Sequence, residues 1–285
     1  MDRREYDLKM RLLLDTYLHL VDVFNKVASR EGVRFWLWGG SLLGAVRDGK
    51  IIPWDCDVDL CILGDDIEKL RSAKWPSCVK FSPTVVKGLF SLHRTGTMRM
   101  NYRSSGKWKK SLMKGKPCGI HIDVFPMFGV PADKAEGARY VSEVKSVPLR
   151  EIYGKHSDSG FMSTIHSFDH HIPTDAIMGP SRIVKFEGME LPIMAGAELV
   201  LKNKYGEDFL TPKKWYHHHK IYVDFINGYN LYANGTVKFP DHAPSFRGVD
   251  VEFAPCSFED ALQKESEAHS RCQIEIAFQN KIVNA

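Results

Sequence analysis

Residues 39–59 read GGSLLGAVRDGKIIPWDCDVD. Two glycines and a serine open the stretch, and aspartates at every second position, Asp55, Asp57 and Asp59, close it. Alternate side chains of a strand share one face, so Asp57 and Asp59 point the same way and Asp55 can join them. Carboxylates that close repel one another unless a cation lies between them. Mg²⁺ suits this spacing, because it takes one or two carboxylates and completes its shell with phosphate oxygens and water. Zinc would favour His and Cys. Gly39, Gly40 and Ser41 supply the opposite wall. Glycine lets backbone approach a ligand closely, and a helix N-terminus offers N–H groups to anions. The segment therefore reads as a phosphate site with a metal at one end. The competing reading, a plain strand–turn–helix with acidic residues at a strand start, explains a lone D-x-D better than it explains both ends together.

Outward from this stretch, the patterns alternate between helix and strand. Leu13, Tyr17, Leu20, Phe24 and Val27 recur at three- and four-residue intervals, which predicts one amphipathic helix over 5–31 with Gly32 as its stop. VRFWLW (33–38) predicts a buried strand. Ser41 is placed to N-cap a short helix through Arg47, and Pro53 prevents its continuation. DVDLCIL (57–63) predicts a second strand, and Asp65 and Asp66 open a short helix. Strands follow over 84–93 and 97–103, joined by Thr95-Gly96, then a lysine-rich loop over 104–119. GIHIDVFPMF (119–128) predicts a strand ending at Pro126. Met194–Tyr205 reads as a helix stopped by Gly206. Residues 211–256 carry only weak strand signals, and Ser257 caps a last helix to about residue 280. The expected class is α+β, a mixed sheet backed by helices with a less regular C-terminal region. A core over 1–130 with a region over 131–285 packed on it is the expected organisation, one domain throughout being the alternative.

Composition excludes several classes. The 285 residues are 44% hydrophobic and 26% charged, an ordinary globular balance. No apolar run is long enough for a membrane span, and MDRREYDLKMRLLLD lacks the apolar core of a signal peptide. The expected location is cytoplasmic, unless an N-terminal anchor has been removed. The six cysteines show no C-x-x-C pair and irregular spacing, so reduced, buried thiols are expected. Asn234-Gly235-Thr236 matches a glycosylation sequon, relevant only to a secreted protein. The net charge of +4 hides an asymmetry: from Lys69 to Ile122 there is no Asp or Glu, while Lys and Arg recur. Such a lobe suits an anionic ligand or is simply a solvated surface. Zinc-finger spacing, RNP-like aromatics and a basic recognition helix are all lacking, so nucleic acid is not an expected partner.

WGGSLLGAVRDGKIIPWDCDVDL (38–60) resembles the signature of the LicD family, which includes phosphocholine transferases and fukutin-related ribitol-phosphate transferases. That family resembles the wider nucleotidyltransferase superfamily, with a pattern of G-S, then D-x-D, then a third Asp on a later strand. Gly40-Ser41 fits the first part, Asp57-Val58-Asp59 the second, and Asp123 in HIDVFPM the third. FEGMELPIMAGAELVLKNKYGEDFLTP (186–212) resembles the family's C-terminal pattern, with its Glu-Gly, Pro and Tyr-Gly landmarks. The resemblance runs in blocks between about residues 10 and 212, and residues 213–285 match no known pattern. Cys56 stands where members often carry an aspartate; on a strand it would face away from Asp55 and Asp57.

The resemblance implies a nucleotidyltransferase-like fold and a catalytic, metal-binding set of Asp57, Asp59 and Asp123. The implied ion is Mg²⁺, with Mn²⁺ as the alternative. Asp123 would complete the site and accept the acceptor hydroxyl's proton; a charge amid Ile-His-Ile-Asp-Val-Phe needs a partner in any case. Gly39, Gly40, Ser41, Arg47, Lys50, Asp55 and His121 are the expected donor-binding residues. Arg47 and Lys50 are alternatively a solvated helix end, Asp55 a third carboxylate or an orienting group, and His121 a core histidine. Lys107, Lys109, Lys110, Lys114, Lys116 and Trp108 form either a lid over an anion or an ordinary loop. His217-His218-His219 and Asp169-His170-His171 read as surface rather than metal ligands, since adjacent residues converge poorly on one ion. The implied reaction moves phosphocholine or an alditol phosphate from a CDP-activated alcohol to a glycan hydroxyl, releasing CMP. The alternatives are a nucleotidyltransferase that uses an NTP and releases pyrophosphate, and a non-catalytic nucleotide or glycan binder.

Overall fold

The structure is a computed structural model and describes residues 3–52, 57–84, 88–94, 98–102, 121–144, 151–165, 171–211, 249–253 and 258–283. The predicted first helix is α1, Arg3–Arg30. Its stripe is buried: Tyr17, Leu20, Phe24 and Val27 face inward with Val21, Val23 and Ala28. Each such side chain contributes roughly 1.5–3 kcal/mol relative to an exposed one. Gly32 ends the helix at φ +64, and the Val33 N–H donates back to Ala28 O at 2.8 Å.

The expected α+β class holds. β1 (Phe35–Leu37) is fully buried, and α2 runs Gly39–Arg47. β2 (Asp59–Leu63), α3 (Ile67–Ser72), β3 (Val79–Pro83), β4 (Phe90–Arg94) and β6 (His121–Val130) follow. These strands form a mixed sheet in the order β1-β2-β6-β4-β3, with β7 (Phe161–Thr164) also on β6 and β8 (Ile172–Pro173) on β7. Among the described strands of this sheet, only β2 and β6 run parallel; the other pairs are antiparallel. α1 packs on β4 and β6.

Two strand expectations need correction. β6 does not end at Pro126 but continues to Val130. On the edge of β6 away from β2, β4 pairs up to Val124 and β7 begins at Met127. Pro126 falls in the gap between them, where a missing N–H breaks no ladder bond on that edge. The strand expected over 84–93 begins only at Phe90, as β4. β5 (Met98–Tyr102) pairs with β11 (Val249–Phe253), and Thr95-Gly96 lies outside the described residues.

α4 (Lys134–Val144) covers a small second cluster around Phe128, Val130 and Ile152. α5 (Thr174–Met178) leads to a hairpin of β9 (Arg182–Phe186) and β10 (Met189–Ile193), then to α6 (Ala197–Tyr205). Glu187 and Gly188 form the hairpin turn, both with positive φ, +50 and +82. Glu187 is held there twice: its N–H donates to Gly49 O and its Oε1 accepts the Ile51 N–H, each at 2.9 Å. The hairpin tip thus braces the chain leaving α2 toward the aspartates.

The last helix is α7, Phe258–Val283. It packs along α1 through Arg30 Nη1–Gln279 Oε1 at 2.7 Å and Gln273 Nε2–Asp22 Oδ2 at 2.8 Å, with the His19 and His269 rings stacked 3.8 Å apart. A Cys78–Cys272 disulfide fastens α7 to the entry of β3, which corrects the expectation of reduced thiols. Among the described residues Cys61 is the free cysteine; burial, then the charge of Asp59, pushes its thiol well up, so it stays a packed thiol. The main core runs without a break from α1 and β1 through Leu191, Val200 and Leu201 to Cys272 and Ile276. No described helix is long and apolar enough to cross a membrane.

Candidate active site

The site forms where the start of α2 meets the starts of β2 and β6. Asp59 opens β2 and is the register partner of Asp123 on β6. Register partners on neighbouring strands project to the same face, so the two carboxylates stand side by side. Val58 is buried and its carbonyl accepts the Asp123 N–H at 3.0 Å, extending the ladder one residue below β2. Asp57, partly buried, precedes it in the chain.

Asp123 is held in a set orientation. Ser91, buried on β4 directly across from it, donates its hydroxyl to Oδ1 at 2.9 Å. His121 Nε2 lies 3.8 Å from the same oxygen, so His121 borders the site. His93 faces His121 across the β4–β6 pair, ring centroids 5.1 Å apart. Burial, then the charges of His121 and Lys80, lowers His93 to about 4.

The glycine turn is tied to this strand start. Trp38 caps α2 in an extended conformation, donating its N–H to Asp59 O at 2.9 Å while its carbonyl accepts the Leu42 N–H at 3.0 Å. The helix thus begins at Gly39, with its cap three residues earlier than expected. Ser41 therefore lies in the first turn and does not cap it; its Oγ accepts the Asp59 N–H at 3.0 Å. Gly39 has φ +55, and a Cβ there would meet Asp59 Oδ2 at 2.8 Å and Lys204 Nζ at 3.4 Å. Glycine is required twice over, by backbone conformation and by the close approach of the carboxylate.

Gly39, Ser41, Asp59, Asp123 and His121 are thereby brought together, with Gly40 and Asp57 adjoining them in the chain. Arg47 ends α2, roughly 12 Å along its axis from Gly39, and Lys50 follows just beyond the Asp48 cap. Arg47 binds Asp48 Oδ2 there through Nε and Nη2, at 2.8 and 2.6 Å. Asp55, Cys56, the lysines and Trp108 of the 104–119 loop, Asp169, His170, the His217–His219 run and the 234–236 sequon lie outside the described residues. His171 is described: it stacks on Phe161, and its Nε2 lies 2.7 Å from Pro131 O, far from the aspartates in the fold. Sequence reasoning missed Ser91, His93 and Lys204. Only the adjoining Tyr-Gly landmark marked the segment of Lys204.

Among the described residues, no three His, Cys, Asp or Glu side chains make a ready-made metal cluster. Two carboxylates in register with a third adjoining form instead a sparse, all-oxygen set. That suits a hard divalent ion whose remaining ligands come from substrate oxygens and water.

The family model described as "LicD/FKTN/FKRP, nucleotidyltransferase domain" matches residues 32–193, which include the glycine turn and all three aspartates. A segment of 73 residues, 25% of the chain, is 49% identical to the ribitol 5-phosphate transferase FKRP of Mus musculus, and equally to that of Homo sapiens, over 14% of each. A segment of 52 residues, 18% of the chain, is 35% identical to the lipopolysaccharide cholinephosphotransferase LicD of Haemophilus influenzae, over 20% of that protein. These matches span a small part of each relative's length. Taken with the family match over more than half of the chain, they establish that this protein belongs to the LicD/FKTN/FKRP family.

Proposed function

We propose that the chain is a Mg²⁺-dependent phosphotransferase of the nucleotidyltransferase superfamily. It moves a phospho-alcohol group, phosphocholine or an alditol phosphate, from a CDP-activated donor to a glycan hydroxyl and releases CMP. The observation that carries this reading is the register pairing of Asp59 with Asp123 directly beside the Gly39 turn. Relatives named as a ribitol 5-phosphate transferase and a cholinephosphotransferase support the class of group transferred.

Asp57, Asp59 and Asp123 would hold the metal, Mg²⁺ or Mn²⁺, which supplies Lewis-acid neutralisation of charge on the diphosphate. The start of α2 adjoins Asp59, and N–H groups at a helix start favour phosphate oxygens. An acceptor hydroxyl forms a bond to the distal phosphorus, the bond from that phosphorus to the bridging oxygen breaks, and CMP departs. Asp123, oriented by Ser91, takes the hydroxyl proton. Positioning and fixed charge do most of this work.

The Cys78–Cys272 disulfide favours an oxidising compartment over the cytoplasm for this protein. The testing experiment incubates the protein and Mg²⁺ with glycan acceptors and CDP-choline, CDP-ribitol or an NTP, and identifies products by mass spectrometry. CMP with a mass gain on the acceptor is expected. Pyrophosphate without CMP would replace this reading with NTP-dependent nucleotidyl transfer, and nucleotide binding without product from any donor would replace it with a non-catalytic role.

A further inference from the structure

A cation from a distant part of the chain reaches this site. Lys204 lies on α6, remote in sequence from both the glycine turn and the aspartates. Its Nζ comes to 3.4 Å of the point where a Cβ on Gly39 would sit, and Asp59 Oδ2 comes to 2.8 Å of the same point. The ammonium also lies over two rings, 5.9 Å from the centre of Trp38 and 5.4 Å from that of Tyr205. Trp38 is the residue that caps α2 and bonds Asp59. Ammonium, carboxylate and the start of α2 thus surround one small space that glycine keeps open.

Packed elements set this placement. Ala197, Val200 and Leu201 bury the inner face of α6, and α6 packs on α2. Gly206, at φ +93, stops the helix directly after Tyr205. The lysine itself stays exposed. A contact made by so exposed a lysine adds little to stability, so support of the fold is a weak reason for this arrangement. Aromatic faces steady an ammonium through its charge rather than through its N–H donors. A compact ammonium with three donors is a good partner for a phosphate oxygen.

We propose that Lys204 is a donor-binding residue: its ammonium, placed beside Asp59 at the Gly39 turn, takes up a diphosphate oxygen when the donor enters. This rests on the phosphotransferase reading above. A divalent ion and the ammonium compete for the surroundings of Asp59, and a diphosphate relieves the competition by giving the ammonium another anion. Metal and diphosphate therefore favour each other's binding through this lysine.

The test is calorimetric binding of CDP, with Mg²⁺ and with EDTA, to the full chain and to Lys204→Met, Lys204→Arg and Asp57→Asn/Asp59→Asn. Binding of Mn²⁺ alone is followed by electron paramagnetic resonance, and circular dichroism confirms folding of each variant. Lys204→Met should weaken CDP binding at least tenfold in Mg²⁺ and bind Mn²⁺ alone more tightly than the unaltered chain. Lys204→Arg should recover most of the CDP affinity. Unchanged CDP affinity in Lys204→Met would overturn the proposal and leave the phosphotransferase reading standing. Wild-type affinity in Asp57→Asn/Asp59→Asn, with Lys204→Met still weakened, would contradict the metal assignment while supporting Lys204 as a phosphate ligand. No CDP binding to the unaltered chain would overturn both.

Discussion

Asp59 and Asp123, far apart in the chain, are register partners on the parallel pair β2 and β6 of the main sheet. The pairing places two carboxylates side by side at the strand starts, next to the first turn of α2. Such a placement is unfavourable in a structure with no task for it, because like charges repel and partial burial strengthens the repulsion. The chemistry proposed above turns that cost into a binding site for a cation and a diphosphate.

Ser91 orients Asp123 from the neighbouring strand. Ser91→Ala removes the donor and leaves Oδ1 without its 2.9 Å partner. Activity should fall about tenfold, with a stability loss of about 1 kcal/mol. Donor turnover and thermal melting of the purified variant check this, and Ser91→Thr should restore part of the activity. Full activity in Ser91→Ala would show that the hydroxyl does not set the carboxylate.

Gly39→Ala tests the close approach of α2 to Asp59. The new Cβ meets Asp59 Oδ2 at 2.8 Å, and φ +55 is unfavourable for alanine by about 1 kcal/mol. Stability should drop by about 1–2 kcal/mol, while activity should fall much further because the carboxylate must move. A denaturant melt read beside an activity assay separates the two effects. Equal small losses in both would argue that the Gly39 space has no role in the reaction.

Cys78–Cys272 closes a loop of sequence separation 194. Cross-links over loops this long typically stabilise by about 3–5 kcal/mol. Dithiothreitol, or Cys272→Ala, should therefore lower the melting temperature by several degrees or more. An unaltered melting curve under reduction would mean the bond is not formed in solution.

His269 gives stability a pH dependence. Burial first, then His19, Arg94 and Lys26, lowers it from its ordinary value of 6.5 to about 4, with Asp22 opposing. Between those values the unfolded chain binds a proton that the folded chain refuses. The contribution is therefore complete above pH 6.5 and is lost as the pH falls toward 4. Melting temperature should decline from pH 7 to pH 5, and His269→Gln should flatten that decline. An identical slope in the variant would contradict this source.

The legible parts of the molecule were those written in local periodicity. The buried stripe of α1, the apolar run of β1 and the D-x-D of β2 each announce themselves within one turn or strand. Features made by tertiary neighbours did not. Ser41 reads as a cap from sequence because the true cap, Trp38, lies three residues earlier, and only the position of β2 reveals its bond to the Asp59 N–H. Pro126 looked like a strand end because the gap between β4 and β7 is a property of the sheet. Six irregularly spaced cysteines admit too many pairings for sequence to choose Cys78–Cys272. Ser91 and Lys204 carry no motif of their own, and their importance lies wholly in what they stand beside.

The most direct test of the central claim is CMP release from CDP-choline or CDP-ribitol by Asp57→Asn/Asp59→Asn, in Mg²⁺ with a glycan acceptor, beside a melting curve of the same variant. The account predicts that turnover falls by at least a thousandfold, on the order of 4 kcal/mol in the barrier. The melting temperature should hold or rise as like charges are relieved. Turnover at the unaltered rate in a folded double variant would contradict it.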